Sequence, residues 1–302
     1  MQASGDSRTT IRDSDYPLRI DWDGILVDDP EHADDIARRV RDVLAVIWQE
    51  RAAAIEEEIC EALGARTLAD YLRRPAGFFA HHLQRYSKSR RQAPIYWPLS
   101  TESGSYTLWL YYHRLTSDTL YTAVNRYVSP KIEAAQRELA QIERQLAASG
   151  SEATRLRGQR EARQRLLDEL EAFRDELLRV AALPYRPDLD DGVIINAAPL
   201  WRLFRLPKWR KATRETWEKL ERGDYDWAHL AYQIWPERVR EKCRADRSLA
   251  IAHGLAKASE VPAADTGRAR GRQRQQVATV LGVEDEELQV PGAGSPRETG
   301  EQ

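Results

Sequence analysis

The sequence predicts a mainly α fold (α+β): a helical module carrying a small aromatic β-hairpin or sheet and an antiparallel coiled-coil hairpin. Three patterns predict it. Apolar residues recur at three- and four-residue spacing through long stretches, the mark of amphipathic helices. Residues 94–113 are instead dense in aromatic and β-favouring types around a turn with glycine. Two heptad runs meet at a short Ser-Gly-Ser loop.

Residues 20–27 have room for a short strand, with Asp23-Gly24 as a turn. A helix start is expected at Asp29-Pro30-Glu31. Asp29 can cap, Pro30 suits the first helical position and Glu31 complements the dipole. Ile36, Val40, Val43, Ile47, Ile55 and Ile59 then keep to one side, which predicts one long helix stopped by Gly64. Thr67 begins a second helix that fails before Pro75, and Gly77 begins a third carrying Phe78, Phe79 and Leu83. The β-hairpin follows, its strands on either side of residues 101–105, with Pro98 confining the first strand to an edge or bulge.

After a short helix near residues 117–127, Ser129-Pro130 is expected to open another. Ile132, Ala135, Leu139, Ile142 and Leu146 form its heptad seam; Leu166, Leu170, Phe173, Leu177 and Val180 form the seam of the next. Joined by residues 149–151, they predict an antiparallel coiled-coil hairpin. Val193-Ile194-Ile195 is a short strand candidate, and residues 199–255 read as three or four helices with breaks at Pro207, Gly223-Asp224 and Pro236. Trp201, Trp209, Trp217, Trp227 and Trp235 fall there and are expected in the core, with Trp209, between Lys208 and Arg210, the exception. The expected division is a helical region with the hairpin at 1–128, the coiled coil at 129–182, a Trp-rich helical region packing back at 183–256 and a disordered charged tail at 257–302.

Composition excludes several classes. The formal net charge of −2 rules out a globally basic coat protein and leaves local patches open. No run of 18 apolar residues exists and the first 15 residues are polar, so neither a membrane span nor a secretory signal is expected and the location reads as cytoplasmic. Cys60 and Cys243 cannot build a disulfide framework or a zinc site and read as buried thiols. The sole Gly-x-Gly, at Gly292 and Gly294, follows no strand; no phosphate loop, no Pro-Pro dipeptide and no acid two residues before a lysine is present. His32, His81, His82, His113, His229 and His253 show no metal-ligand spacing, since adjacent His81 and His82 cannot face one ion from a helix. No catalytic, cofactor-binding or metal residue is therefore assigned.

Two acid-free segments remain. Arg73, Arg74, Arg85, Lys88, Arg90 and Arg91 are interleaved with Tyr71, Tyr86, Tyr96 and Trp97; Arg202, Arg205, Lys208, Arg210, Lys211 and Arg214 form the second. Such segments can neutralise phosphates and stack on bases. The competing reading is arginines paired with acids elsewhere in the fold.

The runs KSRRQAPIYWPLST (88–101), GSYTLWLYYHRLT (104–116), DDGVIINAAPLW (190–201), ERGDYDWAHLAY (221–232) and WPERVREKC (235–243) resemble the C-terminal region of PglX-type adenine-specific DNA methyltransferases of bacteriophage-exclusion systems. The resemblance runs from about residue 17 to residue 255. It implies methyl transfer from S-adenosylmethionine to the adenine N6 amino group. The cofactor turn and Pro-Pro loop of that family lie upstream of the matched region, so no catalytic residue carries over, and enzymatic activity of this chain alone stays open. The implied role is DNA recognition and scaffolding, with double-stranded DNA and a catalytic chain or other defence proteins as partners. Candidate DNA contacts are Arg85, Lys88, Arg90, Arg91, Tyr96, Trp97, Arg205, Lys208, Trp209, Arg210 and Lys211. The alternative is a protein–protein module that docks through its coiled-coil hairpin without touching DNA.

Overall fold

The computed structural model describes residues 23–88, 91–148 and 153–256, so the expected tail and the first half of the expected strand at 20–27 lie outside the described residues. The chain runs through β1 (Ile25–Val27), α1 (Ile36–Trp48), α2 (Ala52–Ala62), α3 (Leu68–Arg73) and α4 (Phe78–Arg85). A two-residue ribbon, β2 (Ser87–Lys88) with β3 (Arg91–Gln92), precedes β4 (Tyr96–Ser100) and β5 (Thr107–Tyr111). Then come α5 (Thr119–Ala123), α6 (Ser129–Ala148), α7 (Ala153–Ala181), α8 (Val193–Ala197), α9 (Pro207–Arg222), α10 (His229–Ile234), α11 (Pro236–Ala245) and α12 (Arg247–Ala252). The fold is mainly α with a small antiparallel sheet.

The sheet order is β1-β5-β4, which leaves Pro98 on an edge strand, where a missing ladder donor is tolerated. Register pairs Trp97 with Leu110, Leu99 with Leu108, and Ile25 and Val27 with Leu110 and Leu108. These six side chains therefore share one face, and all are fully buried. The opposite face carries Tyr96, Pro98 and Ser100 against Tyr111, Trp109 and Thr107. Phe78 and Phe79 of α4 roof it, their rings 5.4 and 6.4 Å from Trp109.

Several elements depart from the sequence expectation. The first helix starts at Ile36, because Asp35 takes the cap: its Oδ2 accepts Arg38 N–H at 2.8 Å and its Oδ1 accepts Asp29 N–H at 3.0 Å. The single long helix is two. Gln49, at φ 48°, opens a 3-10 turn over Gln49–Arg51, and Arg41 in α1 grips Glu56 in α2 at 2.9 Å. Fifteen residues of continuous helix would hold those two about 22 Å apart, so α2 folds back on α1. Ser129-Pro130 opens α6 as expected, but without a break before it: α5 passes through a π turn, Val124–Val128, into α6. The widened turn falls where Pro130 lacks an amide proton and its ring crowds the carbonyl four back. Residues 193–195 are helical, because Gly192 at φ 84° turns the chain and Asn196 Nδ2 binds Gly192 O and Asp188 O.

α6 and α7 pack lengthwise. Arg160 pairs with Glu143 at 3.2 Å and Arg163 with Glu138 at 2.5 Å, so later positions of α7 meet earlier ones of α6 and the two run antiparallel. Leu170, Phe173, Leu177 and Val180 of α7 are buried in the same cluster as the sheet, with Phe173 edge-on to Tyr106 at 6.3 Å. α9 completes that cluster with Trp209 and Leu220. Among the described residues no helix is long and apolar enough to cross a membrane.

Candidate nucleic-acid interface

The partly exposed sheet face continues into a run of touching rings. Tyr86, 44% exposed, meets His82 at 4.6 Å; His82 meets Tyr96 at 5.5 Å; Tyr96 stacks on Tyr111 at 5.1 Å; Tyr111 meets His113 at 5.4 Å. Burial is what lowers His82, to about 4, so it stays neutral, and its Nε2 accepts the N–H groups of Ile95 and Tyr96. Arg85 and Arg114 lie exposed on the flanking elements, without a carboxylate partner among the described residues. Of the first basic segment, Arg73 is neutralised by Asp28 at 2.6 Å, while Arg74 gives its Nε only to Asp70 O. Arg90 and the side chains of Lys88 and Arg91 lie outside the described residues.

The second segment centres on a residue assigned to the core. Trp201, in a 3-10 turn over Ala198–Leu203, is only half-buried, and three guanidiniums ring it: Arg202 at 5.4 Å, Arg210 at 5.8 Å and Arg214 at 5.4 Å. Arg210 and Arg214 stand one turn apart on α9, which a helical reading of the sequence could have grouped. The short turn that brings Trp201 to them leaves no periodic trace. Arg202, Lys211 and Arg214 touch Glu176, Glu215 and Glu218; Arg205, Lys208 and Arg210 have no carboxylate partner among the described residues.

Two candidate contacts are corrected. Trp97 is fully buried, pointing to the closed sheet face, and its indole donates to Pro94 O at 2.8 Å. Trp209 is also fully buried, at 6.4 Å from Phe79 and 5.9 Å from Phe204. It shares its stripe of α9 with Thr213, Thr216 and Leu220, while Lys208 and Arg210 project about 100° to either side of it. Neither ring can stack on a base in this fold. Tyr96 and the cations of α9 remain at the surface.

No family model matches the chain. It is 32% identical over 193 residues to the adenine-specific methyltransferase BrxX of Escherichia coli O9:H4 (strain HS), a stretch covering 58% of this chain and 16% of that protein. It is 29% identical over 188 residues to the adenine-specific methyltransferase PglX of Lacticaseibacillus casei (strain Zhang), covering 58% of this chain and 15% of that one. The chain is homologous to PglX-type adenine-specific methyltransferases. It spans about one-sixth of the length of these relatives. Chemically, the chain presents two kinds of surface: stacked rings with flanking arginines, and a tryptophan clasped by guanidiniums. Both join cations with accessible π faces, the combination that meets phosphates and bases together.

Proposed function

We propose that this chain is the DNA-recognition and scaffold portion of an N6-adenine DNA methyltransferase of a phage-defence system. In this reading S-adenosylmethionine binds elsewhere in the assembled enzyme, and this chain holds the duplex. One observation carries it above all: Trp201 is ringed by Arg202, Arg210 and Arg214, in a segment whose Arg205 and Lys208 have no carboxylate partner among the described residues. An ordinary solvated helix face would distribute such cations among acids. Here Arg205, Lys208 and Arg210 have none among the described residues.

The test is duplex binding measured against salt concentration, wild type beside Arg210→Glu/Arg214→Glu. Wild type should bind at low salt, with a log–log slope that the double reversal flattens by about 2, near one unit per lost phosphate contact. Arg137→Glu, far along α6, should leave the slope unchanged. Absence of binding at low salt, or a slope indifferent to the reversals, overturns the reading in favour of a docking module acting through the α6–α7 hairpin.

A further inference from the structure

A shallow cleft opens on the partly exposed sheet face, between the end of α3 and the start of α9. Arg74, Phe79, Ser100, Thr107, Trp109 and Arg205 line it, around a small space that is partly open to solvent. Its lining contains no acidic residue. Trp109 is 2% exposed, and its indole N–H has no acceptor among the described residues. A buried donor of that kind is uncommon and calls for a partner.

The charges around it are held in place. Arg205 has no carboxylate partner among the described residues, and its guanidinium is pressed against the 101–105 turn. Gly104, at φ 77°, leaves the room: a Cβ there would run into the guanidinium. The acid that reaches this turn, Glu169, is taken up by the hydroxyls of Ser103 at 2.6 Å and Ser105 at 3.0 Å. On the rim Arg73 is spent on Asp28, while Arg74 has no carboxylate partner among the described residues. On the floor the buried hydroxyls of Ser100 and Thr107 lie 2.8 Å apart. Only one of the two protons is used between them, so the pair can still donate.

We propose that this cleft is a binding site for a tetrahedral oxyanion, a phosphate group held by Arg205 and Arg74 at the mouth and by the Trp109 indole and the Ser100–Thr107 pair within. The phosphate can belong to a DNA backbone or to a free phosphate ligand. Only the first source rests on the function proposed above.

The experiment follows the indole N–H resonances of the full chain by NMR during titration with inorganic phosphate against chloride at equal ionic strength. Trp109 is assigned by loss of its peak in Trp109→Phe or, if that variant does not fold, by contacts to the Phe78 ring. Phosphate should move that resonance saturably, and Arg205→Gln should weaken the effect at least tenfold. A resonance that follows ionic strength alone, or that responds identically in Arg205→Gln, overturns the site. A duplex titration separates the sources. If DNA moves the same peak and competes with phosphate, the ligand is the backbone. If phosphate binds and duplex does not, the site stands and the DNA reading falls. If duplex binds while phosphate leaves the peak in place, the DNA reading stands and this site falls.

Discussion

Asp191 caps a helix that its own sequence leaves uncapped. Ala228 precedes α10 and offers no side-chain acceptor, whereas Asp191, buried and 38 residues earlier, accepts the N–H groups of His229 and Leu230 at 2.7 Å each. Burial raises its carboxyl group, and those same hydrogen bonds pull against the rise. Asp191→Ala should cost about 2–3 kcal/mol by urea unfolding, because a buried and a part-buried amide lose their acceptor at once; Asp191→Asn, which keeps one acceptor, should cost roughly half. Equal midpoints for all three proteins would refute the assignment. His82 yields a pH prediction. Its Nε2 accepts two amides only while unprotonated, and burial lowers it from 6.5 to about 4. Between those values the unfolded chain binds a proton that the folded chain refuses, so stability is full above pH 6.5 and falls as pH drops toward 4. The loss approaches about 3 kcal/mol. His82→Gln keeps an acceptor and should lack this component of the acid sensitivity, read as the difference between the two proteins' urea midpoints from pH 7 down to pH 4.5.

At the scale of elements, what was legible is what repeats. Alternation in 106–112, a Gly turn and Pro98 gave the hairpin and its edge strand; three- and four-residue spacings gave α6 and α7, and caps and breakers at Thr67, Pro75, Gly77, Pro207 and Gly223 gave α3, α4 and α9. What was not legible depends on contacts distant in sequence or on one residue's backbone. Ile47 and Ile55 stay in phase across the break at Gln49, so periodicity reads one helix where Arg41–Glu56 and a positive φ make two. The β-branched trio 193–195 looks like a strand until Asn196 winds it into a turn from below. The candidate surface follows the same division. The acid-free runs were visible; that Trp209 turns inward while Trp201 stands among three arginines depends on a 3-10 turn no pattern announces. The α6–α7 hairpin itself divides into unequal halves. Leu170 and Leu177 of α7 are fully buried in the core shared with the sheet, whereas Ile142 of α6 is only half-buried on the outer part. Leu177→Ala should therefore cost about 2–5 kcal/mol and Ile142→Ala under about 2, measured as shifts in the thermal midpoint.

Over the whole described molecule, one buried cluster crosses every boundary that composition suggests. Val27 and Leu110 of the sheet, Leu177 of the long hairpin and Trp209, Leu220 and Val239 of the Trp-rich helices all belong to it. Long-range polar contacts stitch the same regions: Tyr121 donates to Ala181 O at 3.2 Å, Arg179 to Pro199 O at 3.3 Å, and Tyr185 to Asn196 O at 2.7 Å. Shared burial couples the parts energetically, because a side chain removed from one region leaves a cavity lined by the others. Residues 23–256 should therefore unfold in one step. Far-UV circular dichroism, to which α6 and α7 are the largest single contributors, and tryptophan fluorescence, whose emitters include the buried Trp97, Trp109 and Trp209, should give superimposable urea curves. Leu110→Ala and Leu177→Ala should each move both curves together with little change in slope. If instead the helical signal melted apart from the fluorescence, or if Leu177→Ala shifted only the dichroism, the hairpin would be an independently folding arm. The cleft and the cation-ringed tryptophan would then rest on a smaller core than the one seen here. The coupled result would mean that the same packing that buries Trp209 also sets Arg205, Arg210 and Arg214 relative to the sheet face, so that rigidity of the candidate interface comes from the core beneath it.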